Sequence, residues 1–265
     1  MSISGSANKP RQHNAAQTGV DRWLAFAESL LGVGERIFAE GKIPMTDAGA
    51  ADHRVIAALL LIRTMSHLQA IIALARVKQV VESRMLARAC FENLFYVAAL
   101  REKGDKFVLK MKYDEIASRH ARGQFFMQLQ NRQKDADRDA KLLGMLKEWA
   151  KEKRKFLRAK ETALAGATAN SYIYYSQLSA DAGHPTFSSL NRYLVSDEMH
   201  EDSIRGIDFN PIPEEHEMTD TLSWACEAAI SVCVGVNEML GHTPASEDLF
   251  KLADEYAALE GIATS

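Results

Sequence analysis

Two pairs of ionisable residues stand where apolar ones are expected. In "VVESRMLARACFENLFYVAAL", Arg88 and Glu92 fall one helical turn apart on a face otherwise made of Val81, Phe91, Phe95 and Ala99, with Arg84 one turn earlier. A guanidinium and a carboxylate on such a face are costly to desolvate unless they meet each other and further hydrogen-bond partners. The Arg-then-Glu order is also the weaker direction for a pair that merely stabilises a helix. Two readings stay open: a buried ion pair that sets helix register, or an Arg oriented by Glu to bind an anion. In "RVIAALLLIRTMSHLQAIIALARV", Arg63 and His67 repeat the spacing on a face that carries Ile56, Leu59, Leu60, Ala70 and Leu74. Helices joined by the short turn near Lys78 pack antiparallel, so Arg63 and His67 are expected to face Arg88 and Glu92.

A third group lies in "YYSQLSADAGHPTFSSL", Tyr174 to Leu190, where hydroxyls, a Gly and a His-Pro interrupt helical text. Tyr175 and Ser179 share a helix face, Gly183 releases the chain, and Pro185 suits the first turn of a following short helix. Either Ser179 and His184 bond local backbone in a plain helix end, or Tyr175, Ser179 and His184 line a cleft over Arg88 and Glu92. "RACFENL" after "VVESRMLA", followed about 80 residues later by "YSQLSADAGHPTFSSL", resembles bacterial family 5677 of domains of unknown function. That family pairs an Arg-x-x-x-Glu helix with a later Tyr, Ser and His segment in an all-helical chain. The resemblance extends roughly from Val55 to Leu240. It implies a site at Arg88, Glu92, Tyr175, Ser179 and His184 and no established activity; Arg63, His67 and Arg84 rest on helical spacing alone.

The elements that must position these residues read as helix nearly everywhere. Apolar residues recur with helical period, and no alternation is sustained long enough for a strand. The spacing predicts helices over about 21–39, from Thr46 as N-cap through Val77, 79–103, 105–133, 136–165, 172–178, 187–194, 218–240 and 246–259. The segment "RGIDFNPIPEEHE" is the clearest loop, with Gly206, Asn210, Pro211 and Pro213 grouped. The expectation is an all-α, single-domain antiparallel bundle of about eight helices over residues 19–265, after a disordered lead-in over 1–18.

Composition narrows the function classes. The 265 residues are 47% hydrophobic and 25% charged, an ordinary globular balance. The overall −3 hides an asymmetry: residues 101–160 carry 18 Lys and Arg against 9 Asp and Glu, and residues 197–265 carry 2 against 16. The densest basic run, "KEWAKEKRKFLRAK", reads as a solvated helix that pairs with the acidic region within the chain or in a homo-oligomer, or as a phosphate-tracking surface for nucleic acid or a nucleotide. Cys90, Cys226 and Cys233 lack C-x-x-C spacing and read as buried thiols of a reducing compartment. The first 18 residues lack the apolar core of a signal peptide, and the apolar run Val55–Ile62 is too short to span a bilayer, so the expected location is the cytoplasm, away from membranes.

No P-loop, dinucleotide glycine pattern or His-Glu-x-x-His occurs, and Asp181-Ala-Gly-His184 is a single approach to the paired Glu-x-x-His of di-iron bundles. "PEEHE" is read as solvated charge, so neither metal nor cofactor is expected. Two functions remain. One is a non-catalytic binding or regulatory module with an interior polar cluster. The other is a metal-independent phosphodiesterase or nucleotide-processing enzyme, ribonuclease-like, with Arg88 and Arg63 on the phosphate, Glu92 orienting Arg88, and His184 or His67 as general base.

Overall fold

The computed structural model describes residues 19–43, 46–129, 133, 135–197 and 200–261. The expected disordered lead-in over 1–18 lies outside the described residues. Ten α-helices, one 3-10 turn, one π-helical turn and one two-stranded sheet make up the described chain. It is an all-α protein, with slightly more helices than the expected eight.

Four long helices build the centre: α1 (Gly19–Glu40), α2 (His53–Arg76), α3 (Val80–Lys103) and, from the far end of the chain, α9 (Glu215–Met239). They pack on one another because α2, α3 and α9 are apolar over much of their circumference and α1 turns a single apolar stripe to them, and α3 touches α2 and α9 most extensively. Phe26, Leu30, Leu61, Leu68, Phe91, Phe95 and Leu222 are all fully buried there. The α2–α3 turn is only three residues long, with Lys78 in the left-handed region (φ 59°), so the two helices run antiparallel as their spacing implied. Close approach is enforced at Gly235, where an added Cβ would sit 2.8 Å from Val97 Cγ1.

Helix α2 begins at Asp52, not at Thr46. Asp52 accepts from the Arg54 backbone N–H at 2.8 Å and from its guanidinium at 2.9 Å, and the Thr46 hydroxyl supports the same carboxylate at 2.8 Å. The Arg54 hydrogen bonds hold the Asp52 carboxyl far below the usual carboxylate range despite its burial. By length and hydropathy the whole of α2 could cross a bilayer, which the short run Val55–Ile62 concealed; half of that window is packed inside the bundle.

Helix α4 (Asp105–Gln128) starts on the core with Phe107 and Val108 buried and then leaves it, with Ala117 its last buried residue. Helix α5 (Ala136–Lys151) packs mainly on α4. The predicted helix over 136–165 breaks after Lys151. Residues 152–158 run extended along α4, with the Lys155 N–H donating to the Tyr113 carbonyl (3.4 Å) and the Leu157 N–H to Asp114 Oδ1 (2.8 Å). Helix α6 (Ala159–Ala165) then begins. Docking Leu157 against the core outweighs the helix propensity of the lysines, so the basic run is not one helix.

Helix α7 (Tyr172–Leu178) passes into a π-helical turn (Ser179–Gly183) and α8 (Phe187–Asn191), whose N-cap is Thr186 in a capping box, with Pro185 just outside. Two strands follow where no strand was expected, β1 (Leu194–Asp197) and β2 (His200–Ile207), paired antiparallel with register shifts. Leu194, Val195, Ile204 and Ile207 remain exposed, so no buried face imposes the alternation by which a strand is recognised. Helix α10 (Ser246–Leu259) closes the chain against α1.

Cys90, Cys226 and Cys233 are free and buried, and burial pushes the Cys90 and Cys233 thiols up to about 12. Asp52→Ala should lower unfolding stability by about 1–2 kcal/mol in urea denaturation, since it removes the α2 cap and strands Arg54.

Candidate functional site

Helix α3 presents Arg84, Arg88 and Glu92 on successive turns toward the segment that contains α7 and the π-helical turn. Arg88 Nε donates to Ser179 Oγ at 2.8 Å, and its Nη2 donates to Tyr175 Oη at 2.7 Å. Glu92 Oε1 lies 3.1 Å from the same Nη2 and accepts the Tyr175 hydroxyl proton at 3.1 Å. Ser179 in turn donates to the Tyr175 carbonyl at 2.8 Å. Each hydroxyl thus accepts from the guanidinium and donates onward, which leaves no conflict of donors within the cluster. The guanidinium carbon also lies over the Tyr175 ring, 4.8 Å from its centre. Burial, followed by the neighbouring Glu92 charge, raises the Tyr175 pKa and keeps the hydroxyl protonated as a donor.

The ionisable groups on α2 divide. Arg63 shares a cavity of about 370 Å³ with Glu92, Asn93, Phe95, Tyr96 and Tyr175, so the expected facing of α2 and α3 is present there. Arg63 Nε donates to His67 Nε2 at 3.3 Å, and His67 does not line that cavity. Burial, then Arg63, lowers the His67 pKa, so the imidazole is neutral at pH 7 and can accept that bond. Tyr96 is pushed up to about 12 by burial and by the Asp114 and Glu92 charges.

His184 does not join them. The backbone at His184 is extended, its carbonyl caps Thr186 and Ser189, and it lines a shallow hollow with Pro185, Leu190 and Tyr193. Among the described residues its ring takes part in no hydrogen bond or ion pair. The π-helical turn is the cause: it widens the chain's path at residues 179–183 so that Gly183, not His184, lies against the Arg88 side chain, where an added Cβ would be 3.4 Å from Nε.

Arg84 belongs to a second network that sequence spacing did not reveal. It pairs with Asp181 and, at 3.4 Å, with Glu217, and donates to Thr221 Oγ1 at 3.1 Å. Arg192 reaches the same carboxylates, at 2.8 Å and 3.4 Å. Two cations and two anions, each with side-chain exposure of 12–23%, therefore clamp the π-helical turn, the end of α8 and the start of α9 onto α3. Glu217 sits in "PEEHE", the run read as solvated charge; its partners lie 25 and 133 residues away in sequence, and no local spacing signals them.

A family model, that of a family of unknown function named DUF5677, matches residues 54–202. The chain belongs to this family. The DUF5677 span contains every candidate residue from Arg63 to His184, whereas Glu217 and Thr221, which complete the Arg84 network, come from outside it. No curated protein matches the chain. No solved structure matches it. Between the two charged regions of this DUF5677 chain, Arg101 pairs with Glu238 at 2.6 Å, while Lys151, Arg119 and Lys155 pair with carboxylates nearby in sequence.

A larger cavity, of about 530 Å³, lies elsewhere, between α1, the end of α2 and the start of α9. Arg76 and Lys78 face Glu214 and Glu215 across it, and no candidate residue lines it. In the smaller α2–α3–α7 cavity, by contrast, Glu92 and Tyr175 are both held in place by Arg88, which lies outside the lining.

Removing one member of the mostly buried Arg84 network leaves two carboxylates facing Arg192 alone, so Arg84→Ala should cost about 3 kcal/mol in urea unfolding. Tyr175→Phe, which deletes one shared hydroxyl, should cost about 1–2 kcal/mol. His67 favours its neutral form in the folded state; its contribution is complete above the ordinary His pKa of 6.5 and declines as pH falls through that value. His67→Gln should accordingly flatten the loss of thermal stability between pH 7 and pH 5 measured by calorimetry.

Proposed function

We propose that this chain is a non-catalytic binding module whose ligand occupies the cavity between α2, α3 and α7. The observation that carries the reading is the engagement of Arg88: its charge is committed to Ser179, Tyr175 and Glu92 and joins α7 to α3. Arg88 is then a positioning residue, and the groups offered to a ligand are the Glu92 carboxylate and the Tyr175 hydroxyl it holds, with Arg63 on the facing wall. Phe95, Tyr96, Met111 and Leu157 supply apolar surface around them. The ligand class that suits this lining is a small molecule with a flat or apolar body, an N–H donor for Glu92 and an acceptor for Arg63.

The ribonuclease-like alternative asks for a general base beside the anion site. His184 stands outside the Arg88 cluster, and His67 is bonded to Arg63 away from the cavity. A cytoplasmic setting belongs to the binding-module reading and is supported by three buried free thiols. Self-association between the basic 101–160 and acidic 197–265 regions belongs to it too, supported by the separation of the two charges along the sequence.

Native mass spectrometry of protein incubated with a fractionated metabolite extract provides the test. Wild type should retain a small molecule that Arg63→Ala and the cavity-filling Leu60→Trp both lose, while a phosphodiester dye and labelled RNA remain uncleaved. Turnover that falls in Arg88→Ala and His184→Ala would replace this reading with the enzymatic one.

A further inference from the structure

On the other side of the extended segment 152–158, a second cavity of about 370 Å³ gathers four lysines. Lys106 and Lys110 are four residues apart on α4 and share a helix face; Lys153 and Lys155 are two apart on an extended stretch and share a side. The two periodicities aim four ammonium groups at one hollow because the Lys155 and Leu157 N–H groups tie that stretch to α4 at Tyr113 and Asp114. Glu161 is the one carboxylate in the lining, and it pairs with Lys155 at 3.3 Å. The nearby carboxylates of α4 are turned to other partners: Asp105 to His53 at 3.0 Å, and Asp114 to the Leu157 N–H. Among the described residues Lys106 and Lys110 have no ion pair. Lys153 Nζ lies over the Tyr113 ring, 5.1 Å from its centre.

We infer that this hollow is a binding site for a phosphorylated small molecule of nucleotide size, distinct from the cavity of the binding-module reading. Four unneutralised or half-neutralised ammonium groups around a concave site repel one another, and a ligand carrying two or more phosphate charges relieves that repulsion. Lysine serves phosphate as a mobile point charge, so four of them adapt to a di- or triphosphate without a rigid fork geometry. The remainder of the lining is apolar, with Phe107 and Leu157 beside the Tyr113 ring, and offers a surface for a flat base once Lys153 swings from that ring to a phosphate. The volume falls within the range of small-ligand sites, roughly 300–1,000 Å³. A long nucleic-acid strand would present the same phosphates, but the lysines surround a hollow and do not form a track.

Fluorescence anisotropy of a labelled ADP analogue and of a labelled short single-stranded RNA distinguishes the sources. The ADP analogue should bind at low salt, weaken as salt rises, and be displaced by unlabelled ADP and by inorganic triphosphate. Lys106→Gln with Lys110→Gln, and separately Lys153→Gln with Lys155→Gln, should each weaken it about tenfold. Lys141→Gln with Lys147→Gln, which removes the same charge from α5 outside the hollow, should change it less than about twofold. All six positions carry exposed side chains, and circular dichroism confirms that the variants fold. No binding of the ADP analogue at low salt overturns the inference. So does equal weakening by the α5 control, which would indicate a diffuse basic surface, or RNA binding that unlabelled ADP cannot displace.

Discussion

Helix α3 lies at the centre of the bundle and carries charge on the side that meets α7, and the rest of the site depends on how that charge is answered. Arg84 and Arg88 lie one turn apart, too far inside for water to neutralise them fully, with 12% and 27% of their side chains exposed. Their partners arrive from sequence about 90 residues later, Asp181 for the first and Tyr175 with Ser179 for the second. The cost of leaving either guanidinium unpaired is what makes the segment from Tyr172 to Arg192 dock in one register on α3.

The π-helical turn is the compromise between those two docking demands. Ser179 must reach Arg88 while Asp181, two residues on, reaches Arg84 one turn back along α3. A regular helix would rotate Asp181 about 200° from Ser179, away from α3. Within the π-helical turn Ser179 nonetheless meets Arg88 and Asp181 meets Arg84, and the turn presses Gly183 against Arg88. It also sends His184 outward. The placement of His184 thus follows from a structural need three to five residues upstream, at Asp181 and Ser179, and the cluster that remains is suited to holding and presenting Glu92 and Tyr175.

A similar balance shapes the basic region. The lysine-rich text from 147 to 160 has every local reason to be helical, yet the chain opens after Lys151 so that Leu157 can pack beside Leu60, Phe95 and Met111. That departure creates the wall shared by two cavities, one lined by Arg63, Glu92 and Tyr175, the other ringed by lysines.

Much of this was legible in the residues alone. Helical periodicity determined the all-α class and the bounds of α3, α7 and α10, because burial on one face repeats every three to four residues whatever the partner. The same arithmetic singled out Arg88, Glu92, Tyr175 and Ser179, since a polar residue on an apolar face requires a partner. Which partner it finds is a matter of long-range docking and carries no local period. The Arg84–Asp181–Glu217–Arg192 network, the extended strap at 152–158, the pairing of β1 with β2 and the outward His184 were therefore decided only in three dimensions, where tertiary contacts outweigh local propensity.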